Sequence, residues 1–424
     1  MLVTFSRLRA GAISLLFLTP LAAPLATAPA AHAGASAPWV GSWTASATAA
    51  PPPELLDPGQ PLVKGFKDQT VREIVHTSVG GGAVRLHITN AHGQHDLKVG
   101  HVTVGVPKGE AELAAAPLEA TFRGARGVVI PKGGEAVTDP VPLRTAGGAD
   151  LAVSIYLPED TGPTTNHSLA NQITYFSGTG DFAAQAGGQA FTDSGGNWFF
   201  LSGVDVRPDR ATRAVVAFGD DLTDGFGADF NADDRWTDRL AARLRGAERP
   251  AAVLNEGVAG NRLLHDSPCF GANALARLRP DVLAQARVKA VILHEGMNDI
   301  GFGRMPDQGC FAPNRPATAA EIIGRYRQII ARLHARGVRV IGATLTPIAG
   351  SPFFSAAGEE TRQKVNAWIR SGHAFDGHVD FDRAVRDPQH PQSLLEAYDW
   401  GDHLHPNAAG YQAMGDAVDL RLLG

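Results

Sequence analysis

The stretch Arg213-Ala-Val-Val-Ala-Phe-Gly-Asp-Asp-Leu-Thr-Asp-Gly225 decides the fold. An unbroken apolar run closes at Gly219, as a strand buried on both faces would. Helical spacing follows from Arg235 to Arg245, with Trp236, Leu240 and Leu244 on one face. Further buried strands are predicted at Ala251–Asn255, Ala290–His294 and Arg339–Leu345, with a short one at Val379–Phe381. Thr318-Ala-Ala-Glu321 reads as a capping box, and Ile322, Ile323, Tyr326, Ile329, Ile330 and Leu333 continue it at helical spacing. A last helix is expected from about Pro406 to Leu422. Alternating β and α units with buried strands predict an α/β doubly wound parallel sheet. Ligands in such sheets bind beyond the carboxyl ends of the strands, which here means just after Phe218, Asn255 and His294.

Upstream the pattern differs. Val71–Val79 holds a period-2 apolar stretch, Gly80-Gly-Gly82 marks a turn, and Ala83–Thr89 alternates again. Short runs recur at Val102–Val106, Gly127–Ile130 and Asp150–Leu157. The expectation is an antiparallel β-sandwich or jelly-roll. The 48 Gly and 28 Pro of the 424 residues suit such a turn-rich region.

The first 33 residues read as a secretory signal. Arg7 and Arg9 precede an apolar stretch broken by Pro20 and Pro24, and Ala31-His-Ala33 is a small-x-small cleavage site. The expected organisation is therefore a signal at 1–33, a β-sandwich accessory domain at 34–211 and an α/β domain at 212–424, in a secreted protein. No later stretch approaches 18 apolar residues, so no membrane span is expected. A net charge of −5 without a basic block argues against a nucleic-acid partner. Cys269 and Cys310, the only cysteines, are expected to form a disulfide in an oxidising compartment, with two separate buried thiols as the alternative.

Four segments carry unusual polar residues: Gly219-Asp-Asp-Leu-Thr-Asp-Gly225, Asn255-Glu-Gly-Val-Ala-Gly-Asn-Arg262, Glu295-Gly-Met-Asn-Asp299 and Asp402-His-Leu-His405. In this order they resemble blocks I, II, III and V of the SGNH/GDSL hydrolases. The resemblance spans about Arg213 to Leu423 and is close to the xylan-esterase-like and lysophospholipase-like branch. Trp39-Val-Gly-Ser-Trp43 and Asn90-Ala-His-Gly93 look like that branch's N-terminal β-domain. The resemblance implies a flavodoxin-like sheet and acyl-ester hydrolysis without a cofactor. It implies His405 as base, Asp402 as its orienter, and Gly260 and Asn298 as oxyanion donors. It also implies a small-molecule or polysaccharide substrate.

The chain departs from the family where the nucleophile belongs. The family reads Gly-Asp-Ser, and this chain reads Gly219-Asp220-Asp221. Three readings are open. The site acts on esterified carbohydrate or lipid despite an altered or engineered position 221. Or Asp221 attacks an sp³ carbon, as in a glycosidase or epoxide hydrolase. Or the protein binds a glycan or lipid without turnover. Asp220 is expected to be structural. The acidic stretch Asp220–Asp234 fits a calcium loop poorly, since Leu222, Asp234 and Leu240 occupy positions such a loop reserves for other residues. His403 and His405 lack a third nearby metal ligand, so no metal is expected. Trp39, Trp43, Trp198, Phe199 and Phe200 are expected in the β-domain core, and Trp400 beside the substrate cleft.

Overall fold

The structure is a computed structural model that describes residues 38–57, 59–247, 250–305 and 309–424. The expected signal at 1–33 lies outside these residues. The described residues form one compact unit.

Five parallel strands form the sheet in the order Ala251–Gly257, Arg213–Gly219, Val288–His294, Arg339–Ala343, Gly377–Val379. In chain order this is 2-1-3-4-5, the flavodoxin-like winding. Its switch point lies at the end of Arg213–Gly219, between the second and third strands. Register brings the functional strand ends level, with Gly219 opposite both Gly257 and His294. Ala214, Val216 and Phe218 face one core, while Val215 and Ala217 face a second. A period of two on a sheet covered on both sides explains why the run is apolar throughout.

Two strands end earlier than the sequence suggests, each at a polar side chain. The strand expected at Val379–Phe381 is Gly377–Val379, because Asp380 caps a helix at Phe381–Val385 by accepting the Arg383 N–H at 3.2 Å. The strand from Arg339 stops at Ala343 because Asn366 takes both the N–H and the carbonyl of Leu345, at 2.8 Å each. The capping box is formed as expected, with Thr318 and Glu321 bonding reciprocally ahead of the helix Ala319–His334. The last helix runs Ala408–Ala417, capped by Asn407.

The upstream region holds a four-stranded and a six-stranded antiparallel sheet. Gln69–His76 and Val84–Thr89 lie in different sheets. The Gly80–Gly82 turn therefore carries the chain between sheets and does not close a hairpin. Trp43, Trp198, Phe199 and Phe200 are buried, with the two indoles 4.8 Å apart and edge-on. Trp39 is only half-buried, under the guanidinium groups of Arg85 and Arg207. Antiparallel and parallel layers share one apolar core, in which the strand Val40–Thr44 packs against Ala251–Gly257.

Cys269 and Cys310 are bonded, closing a loop with a sequence separation of 41. Closing a loop of this length restricts the unfolded chain by about 4 kcal/mol. Replacing both cysteines with Ser is expected to lower the unfolding free energy by roughly that amount in urea denaturation. A loss below about 1 kcal/mol would contradict this account of the loop.

Candidate active site

The five residues singled out by sequence converge at the switch point. Gly219 ends its strand where only a bare backbone fits, since a Cβ there would sit 2.2 Å from the His294 carbonyl oxygen. The chain then turns into the short helix Asp221–Asp224, capped by Asp220, which accepts the Leu222 N–H. The turn delivers Asp221, 4% exposed, into the space between the second and third strand ends.

One oxygen of Asp221 takes two hydrogen bonds. Oδ1 accepts from the Gly260 N–H at 3.0 Å and from Asn298 Nδ2 at 2.6 Å. Asn298 spends its second amide proton on the Asn261 carbonyl at 3.0 Å, so its orientation is fixed. Gly260 reaches this position through a left-handed backbone, φ +74°, and a Cβ there would meet the Phe270 ring at 2.4 Å. Oδ2 of Asp221 accepts no hydrogen bond and lies 3.3 Å from His405 Nε2, an ion-pair contact.

His405 sits between two carboxylates. Its Nδ1 is 2.6 Å from Asp402 Oδ2. Asp402 Oδ1 accepts the backbone N–H groups of Leu404 and His405, at 3.0 and 2.9 Å, which closes the loop on itself. Burial disfavours a charged ring here. The ion-pair contact with Asp221 and the hydrogen bond and charge of Asp402 outweigh it and raise the His405 pKa to about 9. Burial likewise works against the Asp402 carboxylate, yet His405 holds it down to about 2. Asp221 is also held below the ordinary carboxylate value, by His405, Asn298 and Gly260 against burial. At neutral pH the site is thus an imidazolium between two carboxylates. The Phe226 ring covers His405 at 4.2 Å, and Trp400, half exposed, meets Phe226 edge-on at 5.5 Å.

This charge state carries a pH signature. The folded-state pKa of His405 lies above its ordinary value of about 6.5, so its contribution is fully present below that value. It is lost as pH rises through about 9. The stability advantage of the unmodified protein over His405→Gln should shrink by about 3 kcal/mol between pH 6 and 10 in urea denaturation. An advantage constant with pH would contradict the charged ring.

Behind these residues lies a buried polar layer that motif spacing did not reveal. Arg277 donates to the Gly219 carbonyl at 2.6 Å, the Glu256 carbonyl at 2.8 Å and Asn261 Oδ1 at 2.8 Å. It also pairs with Asp281 at 2.9 Å and Glu295 at 3.3 Å. One guanidinium therefore ties together the carboxyl ends of three neighbouring strands. Burial pushes Glu295 up to about 8 and Asp299 up to about 6. The Asp299 carboxyl accepts the N–H groups of Leu263 and Leu264, at 2.7 and 2.9 Å.

The acidic stretch and the His403–His405 pair do not converge on a common point. Asp233 binds His76 and Gln172, Asn231 accepts the Ile173 N–H, and His403 turns to Asp399. Among the described residues, one group has ligand atoms close enough for a metal: His76, Asp150 and Asp233. Against burial, its carboxylates raise the His76 pKa to about 10.

Residues 217–413 match the family model of the GDSL-like lipase/acylhydrolases. This part of the chain is a GDSL-like domain. Similar solved structures include Est24, a carbohydrate acetylesterase from Sinorhizobium meliloti, at 18% identity over 49% of this chain and 96% of that one, TM-score 0.37. A native aryl esterase from M. smegmatis aligns at 19% identity over 50% and 100% of the two chains, TM-score 0.39. A putative lipolytic protein of the G-D-S-L family from Desulfitobacterium hafniense DCB-2 aligns at 19% over 49% and 97%, TM-score 0.36. No curated protein matches the chain. The GDSL-like domain contains every element of the converged site, from Asp221 to His405.

Proposed function

We propose that the chain is a secreted ester hydrolase in its scaffold, built for esterified carbohydrate or lipid, and that Asp221 arrests acyl transfer. In this reading His405 is the base, Asp402 its orienter, and Gly260 and Asn298 the oxyanion donors. The observation that carries it is the double hydrogen bond on Asp221 Oδ1, from Gly260 at 3.0 Å and Asn298 at 2.6 Å. Donors aimed at a developing oxyanion accelerate acyl transfer only if they are free when it forms. Here a permanent anion holds them. That anion also keeps His405 protonated at neutral pH, so the ring cannot accept a nucleophile's proton. A carboxylate attacking an ester would in addition form a mixed anhydride, a poor intermediate.

The half-exposed Trp400, edge-on to Phe226 over His405, supports a substrate with a flat apolar face such as a sugar ring. The bonded cysteines support an oxidising compartment. No helix among the described residues is long and apolar enough to cross a membrane.

A second reading draws on the other oxygen of Asp221. Oδ2 accepts no hydrogen bond, while Oδ1 is held. Such a carboxylate suits attack on an sp³ carbon whose leaving group departs as a stable anion. The alkyl ester formed would be neutral, His405 would lose one of its two anions, and its lowered pKa would let it activate water. Water attack on the Asp221 carboxyl carbon would release the alcohol and restore the carboxylate.

A paired assay separates the readings. The unmodified protein and Asp221→Ser are tested on short-chain aryl esters and acetylated xylan. Turnover by the serine variant alone supports the arrested esterase. Equal turnover by both contradicts the arrest. An Asp221 adduct found by mass spectrometry after incubation with alkyl halides or activated glycosides supports the second reading.

A further inference from the structure

We infer that His167, contributed by the antiparallel layer, is a positioning residue for the oxyanion loop, acting through Asp224. His167 ends the strand Thr165–His167 and is 4% exposed. Its Nδ1 lies 3.0 Å from the Ser46 carbonyl and its Nε2 lies 2.9 Å from Asp224 Oδ1. Both ring nitrogens face acceptors, so both donate and the ring is an imidazolium. Burial opposes that charge, and Asp224 overcomes it. Arg235, whose charge works against it, and Asp281, whose charge favours it, are the other ions that bear on it.

Asp224 passes the constraint on. Its free oxygen accepts the Ala259 N–H at 2.7 Å. Ala259 precedes Gly260, whose own N–H is bonded to Asp221. Asp224 also closes the short helix that begins at Asp221. One buried ion pair thus fixes the turn carrying Asp221 and the loop carrying the Gly260 donor relative to each other. Without His167, Asp224 would be a buried carboxylate with a single backbone donor, and its rotamer would no longer be set. Two neighbouring contacts show the same dependence of the site on the antiparallel layer. Asn171 Nδ2 donates to the Gly225 carbonyl at 2.6 Å, and Ser46 Oγ donates to Glu256 at 2.7 Å. The layer is therefore part of the site's scaffold.

The kinetic arm of the test rests on the acyl-hydrolase reading, and the exchange arm does not. Amide hydrogen exchange is measured on the full chain and on His167→Leu, which fills the space without a donor. Protection at Ala259 and Gly260 is expected to fall at least tenfold, while the strand Arg213–Gly219 keeps its protection. Unchanged protection at both amides overturns the inference, and so does an equal loss along the strand. Where His167→Leu does not fold, His167→Gln serves, since it keeps a donor near Nε2 but not the charge, with a smaller loss expected at the same two amides and none along the strand. In the Asp221→Ser background, His167→Leu should lower kcat at least tenfold with KM unchanged, and His167→Gln should recover part of it. A rise in KM alone overturns the inference. If Asp221→Ser has no ester turnover, the proposed function fails, and the exchange result still decides the role of His167.

Discussion

Replacing Asp221 with Ser is expected to raise hydrolysis of short-chain aryl esters by at least about 10³-fold over the unmodified protein. Three obstacles leave with one side chain. The carboxylate that fills the Gly260 and Asn298 donors is gone, so both can meet the oxyanion of a tetrahedral intermediate. A hydroxyl replaces the carboxylate, and its attack yields an ordinary acyl ester rather than an anhydride. His405 keeps Asp402 at 2.6 Å but loses the second anion at 3.3 Å, so its pKa falls from about 9 towards the ordinary range. It then becomes a base near neutral pH, and the rate should rise with pH through that new value. Because triad members act as a unit, restoring the missing one recovers most of what its absence costs. A variant that folds normally, shows a neutral His405 at pH 8 and still fails on every ester would contradict the arrested-esterase reading.

Arg277→Met is expected to be among the most destabilising single substitutions in the chain, by about 3–5 kcal/mol. Arg277 is 7% exposed and bonds groups at the carboxyl ends of three strands. Its carboxylate partners Asp281 and Glu295 are buried, and Glu256 beside them has its pKa pushed well up by burial. Removing one partner of such a network leaves the others charged and unpaired, or forces them to take up protons. Methionine fills much of the volume and retains contact with the Phe218 ring, over which the guanidinium now stacks at 4.2 Å. The measured loss therefore reports the ionic network more than a cavity. It should be larger at pH 8 than at pH 5, where protonation relieves the unpaired carboxylates. A loss under 1 kcal/mol in urea denaturation would contradict the role given to Arg277.

The parallel sheet was legible because burial on both faces forces apolar runs such as Ala214–Phe218. Chain alternation of strands and helices then dictates parallel pairing. The convergence of Asp221, Gly260, Asn298, Asp402 and His405 was legible because each sits at a strand end or in the last loop, and parallel strands bring those ends together. The antiparallel layer was legible as a class but not as a topology. The Gly80–Gly82 turn looks locally like a hairpin, and only the packing of both sheets on one core sends the two strands apart. The supports of the site were hidden for a similar reason. Arg277, Asp224 and His167 act across 16 to 58 positions of sequence, and no local period marks them. Element ends failed where one polar side chain, Asp380 or Asn366, outbid the strand for a backbone group.

The measurement that bears most directly on the account is the protonation of His405, followed by the NMR titration of its ring in the unmodified protein and in Asp221→Ser. The account predicts an imidazolium that titrates near 9 in the unmodified protein and distinctly lower in the variant. A ring that titrates at the same pH in both, near the ordinary value for histidine, would contradict it. The Asp221 carboxylate would then hold neither the base nor the donors out of action.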